Sequence, residues 1–185
     1  MNPYIISTQR LGLRRWIESD YKLFAEMNKD AEVMKYFPKT LTEIETFEMI
    51  QRINLQFDNN GFGLFAVEHN LTKIFIGFTG FATPTFESFF TPCIEIGWRY
   101  KKEVWGHGFA TEAAMACLFY GFNTLKLEKI ISFTSSINIK SENVMKRIGM
   151  RHIADFNHPK IERISILCRH VLYEITSEEL APSFG

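Results

Sequence analysis

Trp105-Gly106-His107-Gly108-Phe109-Ala110-Thr111-Glu112 follows a strand-like run, Cys93-Ile94-Glu95-Ile96-Gly97-Trp98-Arg99-Tyr100, and opens a helical pattern. Small residues at alternate positions, where a strand hands over to a helix, leave backbone N–H groups bare. A helix start carries unpaired donors and the positive end of the macrodipole, so such a turn suits an anion, above all a phosphate. The competing reading is a plain glycine-rich connection. Its neighbours on either side bear on the choice.

Downstream, Gly108 to Phe122 reads as a helix, with Ala110, Ala113, Ala114 and Ala116 as strong helix formers small enough to lie close to a sheet. Lys129 to Ser135 is an apolar strand. A short helix follows with Ser141 at its N-cap, Val144, Met145 and Ile148 turned inward, and Gly149 as its stop. Met150 to Phe156 and Ile164 to Ile175 read as two closing strands around Asn157-His158-Pro159, and the residues from Ser177 as a frayed tail.

Upstream, Arg10 to Trp16 alternates as a first strand, and Glu18-Ser19-Asp20 starts a helix with Tyr21, Phe24, Ala25 and Met27 at helical spacing. Pro38 breaks the pattern. A second helix from about Thr42 carries Ile44, Phe47, Ile50, Ile53, Leu55 and Phe57 and stops at Asn59-Asn60-Gly61. Phe62 to Glu68 and Ile74 to Phe81 are strands joined by His69-Asn70-Leu71-Thr72, and Pro84 to Pro92 is a loop rich in aromatics. Strands interrupted by one crossover helix imply a mixed sheet with helices on its faces.

The chain has 185 residues, enough for one domain with a sizeable core, and 46% of them are hydrophobic, 18 being phenylalanine. Lys and Arg number 21 against 21 Asp and Glu, a balance that argues against broad nucleic-acid binding. Cys93, Cys117 and Cys168 are odd in number and lack CxxC spacing, so they read as reduced thiols in a cytoplasmic protein. No run approaches the about 18 apolar residues of a membrane span, and the N-terminus lacks the pattern of a secretory leader. The five histidines form no HxxxH or HExxH spacing, so no metal is expected. The glycine turn lacks the third glycine of a dinucleotide-binding fingerprint.

Leu11-Gly12-Leu13-Arg14, Glu95-Ile96-Gly97-Trp98, the turn from Trp105 to Ala113, Ser132-Phe133-Thr134, Asn138 with Ser141, and Val144-Met145 ahead of Gly149-Met150 occur in this order. Together they resemble the GNAT N-acetyltransferases, in the branch of the ribosomal-protein N-terminal acetyltransferases, over about residues 8–176. The resemblance implies an α/β fold with a mixed, mostly antiparallel sheet, helices on both faces, and a splay between the family's fourth and fifth strands. It implies one acetyltransferase domain over 1–185. The implied reaction moves acetyl from acetyl-CoA to a primary amine, a protein N-terminus or a small amine, by direct attack in a ternary complex. A module that senses acyl-CoA without turnover is the alternative. The protein is expected as a monomer or homodimer, without membrane or nucleic-acid partners.

By the same resemblance the pantetheine arm pairs with backbone at Ile96, Gly97 and Trp98, and the pyrophosphate sits on Trp105, Gly106, His107, Gly108, Phe109, Ala110 and Thr111. The family pattern usually begins with Gln or Arg where this chain has Trp105, which removes a side-chain phosphate contact there but not the backbone cradle. Glu95 lies between two isoleucines in a strand, a costly place for an acid unless it faces a cleft or a partner. In several GNAT enzymes an acid at the matching place serves as base, usually through water; the other reading is a solvated or salt-bridged strand face. Ser141 either protonates the leaving thiolate or only caps its helix, and Asn138 is a cofactor contact or a turn residue. Many relatives carry a tyrosine where this chain has Met145, which cannot donate a proton. Phe37, Phe86, Phe89 and Phe90 are core lids, an acceptor pocket or an oligomer contact.

Overall fold

A computed structural model describes residues 3–180. The strands are β1 (Ile6–Ser7), β2 (Leu11–Arg14), β3 (Leu64–His69), β4 (Phe75–Ala82), β5 (Glu95–Tyr100), β6 (Lys129–Ser135), β7 (Arg151–Asn157) and β8 (Arg169–Thr176). The helices are α1 (Glu18–Lys29), α2 (Glu43–Asn60), α3 (Phe109–Asn123), α4 (Ile139–Arg147) and the single turn α5 (Ser177–Leu180). The strand order is β1-β2-β3-β4-β5-β6-β8-β7, mostly antiparallel, which bears out the expected mixed α/β sheet. The described chain divides into two compact units, one of residues up to 81 with 97–117, the other of 82–96 with those from 118.

The first unit is built on the antiparallel ladder from β1 to β4. Helix α2 begins as its sequence requires: the Thr42 hydroxyl accepts from the Glu45 N–H at 3.2 Å while Glu45 accepts from the Thr42 N–H at 2.8 Å. It ends at Gly61, whose φ of 75° is the left-handed cap that glycine adopts without strain. Ile50, Ile53 and Phe57 are buried, whereas Ile44, Phe47 and Leu55 are exposed, so the buried stripe is narrower than the apolar pattern suggests. Trp16, Phe24 and Phe75 interlock at centroid distances of 4.6 and 5.4 Å from the indole, whose N–H donates to the Leu64 carbonyl at 2.7 Å. Burying such side chains stabilises the fold by about 1.5–3 kcal/mol each.

Arg14 sits inside this unit on β2, with its guanidinium between Asp20 at 2.6 Å and Glu68 at 3.0 Å, and Tyr4 donates to Glu68. Asp20 also accepts the Ile17 N–H at 3.0 Å and so caps α1. The β4 backbone approaches β5 closely at Gly77, where a Cβ would fall 2.3 Å from the Arg99 carbonyl oxygen; only glycine fits.

In the second unit β6 and β8 pair along seven residues, Lys129↔Thr176 to Ser135↔His170, and β7 joins the other edge of β8 with an irregularity between His152 and Ala154. Ile131, Phe156 and Leu172 form its core on one face of the sheet, with Phe86, Phe90, Cys93, Phe133 and Ile153 packed against it. Two aromatics of the 84–92 loop therefore cover this core, whereas Phe89 is largely exposed. Strand β5 meets β6 in parallel at Glu95↔Ile131, with the Ile131 N–H donating to the Ile94 carbonyl at 2.9 Å.

Three local expectations are corrected. Ile6–Ser7 adds a short edge strand. The closing strand begins at Arg169 rather than Ile164; Ile164 and Ile166 lie in the preceding connection with their side chains in solvent, so apolar content alone misplaced the boundary. Ser177 to Leu180 form a helical turn with Leu180 buried, the Ser177 N–H being held by the Glu128 carbonyl, so this part of the expected tail is structured. The remainder of that tail lies outside the described residues.

Candidate active site

Strand β5 ends at Tyr100, a 3-10 turn spans Lys102–Val104, and α3 starts at Phe109, which puts residues 105–108 in a turn at the helix N-terminus. Gly106 and Gly108 both have φ of 80°, the left-handed region, which is why glycine occupies both places. Neither has another atom close to its missing Cβ, apart from Arg10 Nη2 at 3.6 Å from that of Gly108. The Glu112 N–H is paired within the helix to the Gly108 carbonyl at 3.0 Å. Those of Phe109, Ala110 and Thr111 belong to the helix's first turn, whose donors have no acceptor within the helix.

The turn is clamped by Thr8 and Arg10, in the connection that leads into β2. Glu112 on α3 accepts from the Thr8 hydroxyl at 2.6 Å, the Arg10 N–H at 3.1 Å and Arg10 Nε at 2.6 Å. The other arm of the same guanidinium donates from Nη1 to the His107 carbonyl at 3.0 Å, and its Cζ lies 4.6 Å from the Phe109 ring centroid. Burial raises the Glu112 carboxyl, but the hydrogen bonds from Thr8 and Arg10 outweigh it and hold the group below its ordinary range. Arg10 and Thr8 are site residues that reading the motif alone missed. The only trace in the sequence is a charged pair, Arg10 and Glu112, a hundred residues apart.

The aromatic and histidine members of the turn are structural in their contacts. Trp105 donates its indole N–H to the Tyr100 carbonyl at 2.9 Å, tying the turn to the end of β5. His107 stacks on Phe109 with an interplanar angle of 13°, and its Nδ1 lies 3.0 Å from the Trp105 carbonyl.

Glu95 occupies the first residue of β5, partly shielded, and burial alone pushes its carboxyl up to about 8. One residue on, the buried Ile96 presents its carbonyl to the hydroxyl of Ser132 on β6, which donates at 2.9 Å. This bond ties the Ile96 carbonyl to β6 and leaves its second lone pair uncommitted by that contact. Gly97 and Trp98 are half-buried.

Asn138, and not Ser141, is the N-cap of α4: its Oδ1 accepts the Ser141 N–H at 3.3 Å while its Nδ2 donates to the Thr134 hydroxyl at 3.0 Å. The expected cap at Ser141 is corrected by three residues, because asparagine satisfies the same orphan donor from one turn earlier. Ser141 lies within the first turn of the helix, half-buried, with its hydroxyl not consumed by capping. Met145 is buried, as the inward face of α4 requires.

Two histidines of the closing strands, His158 and His170, pack with centroids 5.0 Å apart among Phe86, Phe133 and Phe156. Burial, with the neighbouring His170 and Lys160, pushes His158 down to about 4, and burial lowers His170 as well, so both rings are neutral near pH 7. Cys93 is pushed up to about 11 by burial and by Glu95, and burial raises Cys117 further still. Neither thiol supplies a thiolate at neutral pH.

The model of the acetyltransferase (GNAT) domain family matches residues 10–151. An uncharacterized N-acetyltransferase, YnaD, of Bacillus subtilis is 32% identical over 79% of this chain and 82% of its own length. The FsC-acetyl coenzyme A-N(2)-transacetylase of Aspergillus fumigatus is 32% identical over 94% of this chain and 77% of its own. The crystal structure of an acetyltransferase of the GNAT family from Bacillus anthracis superposes with a TM-score of 0.77 at 31% identity, covering 94% of this chain and 99% of that one.

Proposed function

Because this chain belongs to the GNAT acetyltransferase family, we propose that it is an N-acetyltransferase in which a primary amine attacks acetyl-CoA directly in a ternary complex. The observation that carries this reading is the clamped turn: two left-handed glycines at the start of α3, with the Arg10–Glu112 pair holding the His107 carbonyl. It aims the first N–H groups of α3 at a phosphate-sized anion. In this reading Trp105, Gly106, His107, Gly108, Phe109, Ala110 and Thr111 hold the pyrophosphate. The backbone of Ile96, Gly97 and Trp98 holds the pantetheine arm, and Asn138 supports it through the start of α4.

Bound acetyl-CoA supplies an activated acyl group as a thioester. Glu95 takes a proton from the acceptor ammonium, directly or through water, and a base whose pKa is raised to about 8 is matched to that task. The amine nitrogen then forms its bond to the carbonyl carbon as the carbon–sulfur bond breaks. Backbone N–H groups of β5 polarise the thioester oxygen, and the nitrogen's second proton passes through the Ser141 hydroxyl to the departing sulfur, so that CoA leaves as the thiol and the serine is returned neutral. The protonated state of Cys93 and Cys117 supports direct attack over an acyl-enzyme.

The whole of 1–185 is assigned to this one domain, acting as monomer or homodimer on a protein N-terminus or small amine. A cytoplasmic setting fits three unpaired cysteines, and no helix among the described residues is long and apolar enough to cross a membrane. The test is release of CoA from acetyl-CoA across a panel of peptide N-termini and small amines. Acetyl-CoA binding with no release from any acceptor would replace this reading by a non-catalytic acyl-CoA sensor.

A further inference from the structure

Arg99 lies on β5 and is 91% buried by its 9% relative exposure, yet among the described residues no carboxylate forms an ion pair with it. It contrasts with Arg14, equally deep in the same unit, which is neutralised by two acids. Arg99 Nη1 donates to the Oδ1 of Asn28 at 2.6 Å, a neutral acceptor held in turn by its Nδ2 on the Thr46 hydroxyl at 3.1 Å. The buried Nε has no hydrogen-bond partner. Phe37 lies over the guanidinium at 4.1 Å from its ring centroid, and Phe78 at 5.4 Å. Phe37, in the connection between α1 and α2, is itself 39% exposed, so a ring that packs on the guanidinium also meets solvent.

A buried cation without a counter-charge is costly, and leaving a buried N–H donor unpaired adds to the cost. Here the fold nonetheless builds a support for it, with two buried polar side chains, Asn28 and Thr46, aligning one arm. A guanidinium has five donors in a planar fork, and the geometry that satisfies it is a carboxylate. Residues 95, 97 and 99 share one face of β5 by strand alternation, and four residues of strand span about 13 Å.

On the acetyl-transfer reading above, we propose that Arg99 binds a carboxylate of the acceptor, so that the enzyme's substrates are amines bearing an acidic group some distance from the nitrogen. Two sources share that chemistry: a peptide N-terminus with an acidic residue nearby, and a free ω-amino acid.

The test compares matched acceptors that differ only in this charge. Peptides with Glu or Gln at the second and third positions form one arm, and ω-amino acids against alkylamines of equal length form the other. The wild-type enzyme is expected to favour the acid of at least one arm by 30-fold or more in kcat/KM, and the favoured arm identifies the source. Arg99→Gln should erase that preference through KM while leaving acetyl-CoA affinity and turnover of the neutral acceptor within about twofold. Arg99→Lys should restore part of it. Equal kcat/KM for acid and neutral acceptors in both arms of the wild-type enzyme overturns the proposal and leaves acetyl transfer standing, without relying on any variant folding. Failure of every acceptor to release CoA overturns both.

Discussion

Replacing Glu95 by glutamine removes an ionisable group and keeps the side chain's shape. Burial holds the wild-type carboxyl up to about 8 against an ordinary 4.5, so near pH 7 most molecules carry the neutral acid. The folded state therefore keeps this proton where the unfolded chain has released it. The group's contribution to stability is fully present below about pH 4.5 and is lost as pH rises through 8. Each pH unit of displacement corresponds to about 1.4 kcal/mol, giving a ceiling of about 5 kcal/mol. Partial solvent contact screens the charge and brings the expected loss to about 2–3 kcal/mol. Urea denaturation should find Glu95→Gln equal to wild type at pH 5 and more stable by that amount at pH 9. Activity should move the opposite way. At pH 9 the variant should lose about 10²–10⁴ in kcat/KM, the usual worth of a positioned base. At pH 6 only about 1% of the wild-type carboxyl is ionised, and the gap should shrink by about 100-fold. A limb that survives in the variant belongs to the acceptor amine, whose protonation also blocks attack. Identical stability–pH slopes for the two proteins would refute the burial argument, and an unchanged activity at pH 9 would remove Glu95 from the chemistry.

Gly108→Asp should weaken acetyl-CoA binding at least tenfold, since it places a Cβ at a φ of 80° and a negative charge beside the expected phosphate; unchanged affinity in calorimetry would end the cradle assignment. Glu112→Gln should lower stability by about 1.5–3 kcal/mol through its bonds to Thr8 and Arg10 and weaken acetyl-CoA severalfold by loosening the turn. An affinity that does not change with this loss of stability would show that the clamp does not position the turn. Asn138→Ala should cost about 1 kcal/mol as a lost helix cap, whereas Ser141→Ala should stay within about 0.5 kcal/mol. Steady-state kinetics should find Ser141→Ala impaired in kcat at unchanged acetyl-CoA affinity; wild-type turnover would leave water as the proton donor to sulfur.

Much of this protein was legible without coordinates because its strongest signals are local. The helix start at about Thr42, the stop at Gly61, the inward face of Val144, Met145 and Ile148, and the paired glycines of the turn depend on backbone geometry within one or two helical turns. Asn138 and Ser141 show the limit of such reasoning. Both are capping types three residues apart, and in the fold it is Asn138 that accepts the Ser141 N–H while its amide nitrogen donates to the Thr134 hydroxyl. Ile164 and Ile166 mark a second limit, for apolar side chains in a connection mimic a strand until pairing partners are counted.

The sequence by itself determined most of the order of elements, the place of the glycine turn at the start of α3, and the resemblance that the family match bears out. Tertiary structure decided which charges are satisfied. Arg14, Arg10 and Arg99 look alike in the chain, yet the first meets Asp20 and Glu68, the second grips Glu112 and the His107 carbonyl, and the third meets the neutral Asn28 and two phenylalanine rings but, among the described residues, no carboxylate. The Glu95 carboxyl likewise owes its raised proton affinity to the atoms that surround it and not to its neighbours in sequence. Helix starts and turns are set by nearby residues, whereas the energy of a charge depends on the solvent and partners that folding removes or brings close.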